Sequence, residues 1–132
     1  MINLVNDMKK LPLEKQLGIQ TAETPDDDWW RNEKKYIIPV YDTLYINNIM
    51  EELHMCRTRV MRMAPCSTYS FHKDLTPRIH IPIQTDEKAV FIIEDKIYRL
   101  KPTRVYWVDT TREHNFVNGS YNERIHIVGA QG

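Results

Sequence analysis

Hydrophobic and polar residues alternate most regularly in Arg78-Ile-His-Ile-Pro-Ile-Gln84 and in Glu123-Arg-Ile-His-Ile-Val128. A strand has a side-chain period of two, so Ile79, Ile81 and Ile83 share one face and Arg78, His80, Pro82 and Gln84 the other. Ile125 and Ile127 oppose Arg124 and His126 in the same way. Shorter extended runs fall at 57–64, 68–72, 89–93, 97–100 and 104–108, with turns expected at Glu94-Asp-Lys96 and Lys101-Pro-Thr103. Seven or eight short strands separated by frequent turns predict a sandwich or barrel.

The first part of the chain is different. Residues 1–24 read as a partly helical arm in which Leu13, Leu17 and Ile19 share a face, interrupted by Pro12, Gly18 and Pro25. Three acids, Asp26 to Asp28, precede Trp29 and Trp30, suggesting a turn and then an anchoring pair. Those tryptophans either cover an open side of the core or wall a substrate site, and the core role is the expected one. Residues 36–40 read as a short strand. Asp42 or Thr43 is placed to cap a helix over 44–55, with Leu44, Ile49 and Leu53 as its apolar positions. The expectation is one domain over 1–132, with 1–55 as partly helical support and 56–132 as the strand core.

Composition narrows the function. The 18 basic and 18 acidic residues cancel, which argues against a general nucleic-acid binder. There is no long apolar run, and the start Met1-Ile-Asn-Leu-Val-Asn-Asp7 is too polar for a signal peptide, so the expected setting is the cytoplasm, without a membrane partner. Cys56 and Cys66 are expected to be reduced, and neither belongs to a Cys-x-x-Cys pair.

The strongest chemical signal is His72-x-Asp74, a second histidine at His114, and Arg124 ten residues beyond it. In extended chain, His72 and Asp74 point the same way and can offer two ligands to one ion. His114 must come from a separate strand, which a jelly roll can bring across its mouth. Two imidazoles and a carboxylate on one side of a metal leave the opposite side open, as non-haem Fe(II) oxygenases require. Arg124 can then hold the far carboxylate of a dicarboxylic co-substrate such as 2-oxoglutarate. The polar faces of the two best strands, Arg78/His80 and Arg124/His126, fit an anion-binding interior better than a solvated surface, because Arg and His recur together beside the metal pattern.

The run from Arg59 to Val128 resembles the aspartyl/asparaginyl beta-hydroxylase family of Fe(II)/2-oxoglutarate oxygenases, and some bacterial free-proline hydroxylases. The matching pieces are His72-Lys-Asp74, Arg78-Ile-His80-Ile-Pro82, Trp107-Val-Asp109, His114 with Asn118, and Arg124-Ile-His126. The resemblance implies an all-β, cupin-like double-stranded beta-helix, or jelly roll, carrying short N-terminal helices. It implies iron at His72, Asp74 and His114, and 2-oxoglutarate on Arg124. Arg78 and His80 would line the co-substrate or substrate side, and the substrate would be a small molecule or peptide oxidised by O2. Pro65-Cys66 departs from the family's frequent Pro-Gly, so a different turn is expected there.

Weaker candidates remain. Tyr69 can donate to the co-substrate or pack in the core, and His126 can wall the pocket or stand by. His54 reads as surface or packing, Asn118 as a turn former before Gly119, and Arg57, Arg59 and Arg62 as solvated. Ser67, Ser70 and Ser120 lack a hydrolase context. Two rivals stand: a cupin-type metal enzyme that does not use 2-oxoglutarate, and a non-enzymatic jelly-roll binding module.

Overall fold

A computed structural model describes residues 2–28 and 30–132. Trp29, half of the expected anchoring pair, lies outside the described residues. After α1 (Ile2–Met8) come β1 (Gln16–Gly18), β2 (Gln20–Thr21), a 3-10 turn (Glu33–Lys35) and β3 (Ile38–Pro39). Next are α2 (Leu44–Glu52), β4 (Met55–Met63), β5 (Ser67–Thr68), β6 (Arg78–Gln84), β7 (Ala89–Ile93) and β8 (Lys96–Tyr98). The chain ends with β9 (Tyr106–Val108), β10 (His114–Asn118) and β11 (Arg124–Gln131).

The fold is a jelly roll. One antiparallel sheet has the order β1-β4-β11-β6-β9 and the other β5-β10-β7-β8, with β2 and β3 forming a separate ribbon. Among the described residues, no helix is long and apolar enough to cross a membrane.

The expected alternation of β6 and β11 is present and has a specific cause. Ile79, Ile81, Ile125 and Ile127 are buried in one cluster with Leu4 of α1 and with Ile46 and Met50 of α2. The helices thus cover the outer face of the large sheet. The opposite face holds Arg78, His80, Arg124 and His126, all buried. Between the sheets, Met63, Phe91, Val108 and Phe116 form a second cluster.

Several expectations need correction. The partly helical arm keeps its helix in α1, but its second half is extended rather than helical: Leu17 pairs with Val60 and extends the large sheet. Leu44 is exposed, whereas α2 turns Ile46 and Met50 inward. Thr43 stands at the N-cap without capping through its side chain; its hydroxyl donates to Asn47 Oδ1. The cap comes from elsewhere: the buried carboxylate of Asp7 accepts the Ile46 amide at 2.9 Å. This satisfies an orphan donor of the first helical turn and ties α1 to α2. At Pro65-Cys66, Cys66 adopts φ 53°, the left-handed region that glycine favours.

A bulge bends β4 against β11. Val128 faces Arg59 and Ala130 faces Cys56, so Arg57 and Thr58 together oppose Gly129. Arg57 has φ 48° there. A Cβ on Gly129 would stand 2.6 Å from Thr58 Oγ1 and 2.9 Å from Met55 Cε. Gly129→Ala should therefore lower stability by about 1–3 kcal/mol. Adding Thr58→Ala should recover part of that loss. Urea unfolding of the two variants checks this; equal losses would mean that Thr58 is not the obstacle.

Candidate metal and anion site

His72 and His114 face each other across a single antiparallel bridge and exchange both backbone hydrogen bonds at 3.0 Å. Their ring centroids lie 4.3 Å apart. Asp74 is held two residues on, where its amide donates to the Thr110 carbonyl at 2.8 Å. Its carboxylate stands 3.8 Å from His72 Nε2 and 3.6 Å from His114 Nε2. The ligand atoms of all three lie within 4.8 Å of one another.

The backbone orients both rings. His72 Nδ1 donates to the Ser70 carbonyl at 2.7 Å, and His114 Nδ1 donates to the Arg112 carbonyl at 2.9 Å. A carbonyl can only accept, so each Nδ1 carries a proton and each Nε2 is turned toward Asp74. Metal-binding histidines are typically anchored in this way. Donors about 2.1 Å from a common ion stand roughly 3–3.5 Å apart, so the two Asp74–histidine separations of 3.8 and 3.6 Å already approach that spacing. The triad therefore fits a metal. The His72 side chain is 44 % exposed and that of His114 only 2 %, so one flank is open and the other is packed inside the barrel.

Beside the triad lies a cavity of about 230 Å³ whose wall includes Tyr69, Arg78, His80, Phe116 and Arg124. Arg124 is 3 % exposed, and its guanidinium carbon sits 4.7 Å from the centre of the Phe116 ring. Its Nε and Nη1 have no hydrogen-bond partner among the described residues, and neither does the Tyr69 hydroxyl. Burial brings the Arg124 pKa down to about 10. A buried guanidinium with two unused donors is costly unless an anion arrives. The donor set of this pocket fits a carboxylate.

His80 and His126 meet at 3.1 Å through their Nδ1 atoms, so one donates and the other accepts. Burial and then the Arg124 charge push both well below the ordinary imidazole pKa, leaving them neutral. His80 lines the cavity. His126 does not: it sits behind Arg124, beside a void of only about 10 Å³, which corrects its expected place on the pocket wall.

Arg78 reaches the cavity, but its guanidinium is already engaged. It pairs with Glu33 at 3.2 Å and donates to the Thr76 carbonyl. Glu33, buried on the 3-10 turn, also pairs with Arg57 and accepts from Thr76 Oγ1. The pattern carries no signal for Glu33, which lies in the charged run Arg31-Asn-Glu-Lys-Lys35 and acts across more than 40 residues of chain. Two expected surface arginines are also inside. Arg57 sits in the Glu33 cluster, and Arg59 lines the cavity with its Nε buried and unpartnered among the described residues. Burial and the Arg57 and Arg78 charges lower the Arg59 pKa to about 10. Its place on one strand face with Met61 and Met63 was the available signal. Arg62 points the other way and pairs with Glu123 at 2.8 Å. His54 ends α2 outside this site, and Asn118 bridges the Met63, Ala64 and Asn122 carbonyls.

Comparison with known proteins agrees with this geometry. The family model described as aspartyl/asparaginyl beta-hydroxylase matches residues 38–129. The chain belongs to that family. No curated protein matches the sequence. Among solved structures, a cupin domain from Bordetella pertussis Tohama I is similar at a TM-score of 0.51 and 12% identity, covering 92% of this chain and 100% of that one. A protein of Photorhabdus luminescens (plu4264) has TM-score 0.49 and 16% identity over 57% of this chain. The match spans 61% of that protein, less than two thirds of its length. A predicted oxalate decarboxylase from Thermotoga maritima has TM-score 0.47 and 18% identity, covering 61% of this chain and 69% of that one. The Bordetella likeness, which spans most of both chains, shows the cupin-type fold.

Two outcomes follow from the site. Co(II) at about 100 times its dissociation constant should stabilise the wild type by about 2.7 kcal/mol and raise Tm by several degrees. Asp74→Ala should show no such shift at the same concentration; an undiminished shift would remove Asp74 from the ligand set. The second concerns pH. The folded state holds His80 and His126 below 6.5, so the unfolded chain binds more protons as the pH falls under that value. The stability present above pH 6.5 should then fall by up to about 1.4 kcal/mol per pH unit for each histidine. Urea unfolding at stepped pH should show this decline, with a shallower slope in His126→Gln.

Proposed function

We propose that the protein is an Fe(II)- and 2-oxoglutarate-dependent dioxygenase that hydroxylates an amino acid or a peptide side chain of the Asp/Asn or proline-like type. The single observation that carries the reading is the pairing of the triad with a buried, unsatisfied Arg124 in one cavity. Membership of the hydroxylase family supports it. A cupin-type metal enzyme without this co-substrate has no need of a desolvated cation beside the metal, and a binding module has no need of the triad.

In this reading His72, Asp74 and His114 would hold the iron. Bound there, iron with 2-oxoglutarate supplies the oxidising power that inserts one oxygen atom of O2 into a C–H bond, while the co-substrate leaves as succinate and CO2. The chain supplies the surroundings. Ser70 and Arg112 keep the imidazoles turned, so the ligand set is arranged before metal arrives. Arg124 pairs the distal carboxylate, and the Tyr69 hydroxyl is free to donate to the same anion. Neutral His80 adds no competing charge, and with Phe116 it keeps the inner wall dry.

Truncating one member of a buried charge pair costs roughly 2–5 kcal/mol. Arg124→Ala should therefore raise the 2-oxoglutarate requirement at least about tenfold while leaving iron affinity almost unchanged. Arg124→Lys should fall between, because an ammonium cannot reproduce the two parallel bonds of a guanidinium. The measurement is succinate formation against 2-oxoglutarate concentration with iron saturating. An unchanged requirement in Arg124→Ala would make the metal-only cupin reading the better one.

A further inference from the structure

A second cavity, also of about 230 Å³, opens beside Asp74 of the triad and shares Arg59, Asp74 and Arg78 with the first. Its sides are apolar where Trp30 and Leu75 stand partly exposed, 40 % and 65 %. Its base is strongly cationic. Arg57, Arg59, Lys73 and Arg78 all line it, against the carboxylates of Glu33 and Asp74. Glu33 is already committed to Arg57 and Arg78, and Asp74 belongs to the triad. Arg59 makes no ion pair among the described residues, and its Nε is buried without a partner. Two guanidinium groups with unused donors therefore stand near the triad: Arg124 lines only the first of these two cavities, and Arg59 lines both. The dicarboxylate assigned to Arg124 accounts for only one of them.

We propose that this second groove binds the molecule to be oxidised, and that it selects an organic acid whose amine is acylated or absent. The carboxylate pairs Arg59, and the apolar portion lies against Trp30 and Leu75, next to Asp74 of the triad. This rests on the oxygenase reading for the word oxidised, but the groove's selectivity is independent of it. A free amino acid is disfavoured by charge. Its ammonium would enter beside four cations, and the two lining carboxylates are already engaged. An N-acylated amino acid or a peptide carboxylate has no such ammonium.

The test is calorimetric titration of N-acetyl-L-leucine and N-acetyl-L-phenylalanine, with their amides and the free amino acids as controls. Each is titrated into the protein alone and into the protein with Mn(II) and 2-oxoglutarate. At least one acyl acid should bind, and its amide and free amino acid should bind at least about tenfold more weakly. Arg59→Met should weaken the acid to the level of the amide, Arg59→Lys should restore part of the affinity, and Arg124→Ala should leave it unchanged. Equal affinity for acid and amide in the wild type would overturn the proposal without any variant. So would preference for the free amino acid, an unaffected Arg59→Met, or no acid binding in either state. If the acid binds through Arg59 but 2-oxoglutarate does not bind, the groove stands and the co-substrate reading falls. The reverse removes the groove alone.

Discussion

The large sheet has an apolar cover on one face and a polar cavity on the other, so its central strands β6 and β11 are buried on both faces for most of their length. That double burial is possible only because α1 and α2 seal Ile79, Ile81, Ile125 and Ile127. With the hydrophobic contribution secured on the outside, the inner face is released from packing duty and can carry Arg78, His80, Arg124 and His126. The Asp7 contact to α2 belongs to the same arrangement, because it locks the two covering helices together. Bending at the Arg57–Thr58 bulge then sets the edge of the inner face that meets Glu33.

Charge inside the barrel is managed unevenly. Arg57 and Arg78 are compensated by Glu33, which arrives from a different part of the chain. Arg59 and Arg124 are not compensated in this way. Structural cations and receptive cations can therefore be told apart by whether a protein carboxylate reaches them. The same distinction applies to the histidines. His72 and His114 have one nitrogen fixed and one free, whereas the Nδ1 atoms of His80 and His126 are spent on each other.

What was legible in the sequence was whatever depends on neighbours two residues apart. The alternation of β6 and β11, the His72–Asp74 pair and the inward turn of Arg124 all follow from strand period. The jelly roll itself rested on the resemblance, which the family match and the cupin-type fold uphold. Illegible features depend on contacts across long stretches of chain. Asp7 caps a helix 39 residues away, and Glu33 meets Arg78 at a separation of 45. Arg59 carries a charge that by residue type alone points to solvent, and only its unbroken register with Met61 and Met63 on β4 shows that it faces inward. Of the apolar positions Leu44, Ile49 and Leu53, the last two pack against the core, whereas Ile46 takes the inward place expected of Leu44 because of where α1 lies.

Arg124 is stripped of water before anything arrives to pair it. Folding and anion capture are then linked equilibria, since any carboxylate that enters relieves a penalty the folded chain already carries. A carboxylate bound at free concentration c would therefore add RT ln(1 + c/Kd) to the stability of the folded chain, so the same arginine that would orient a ligand would also make the fold firmer when one is present.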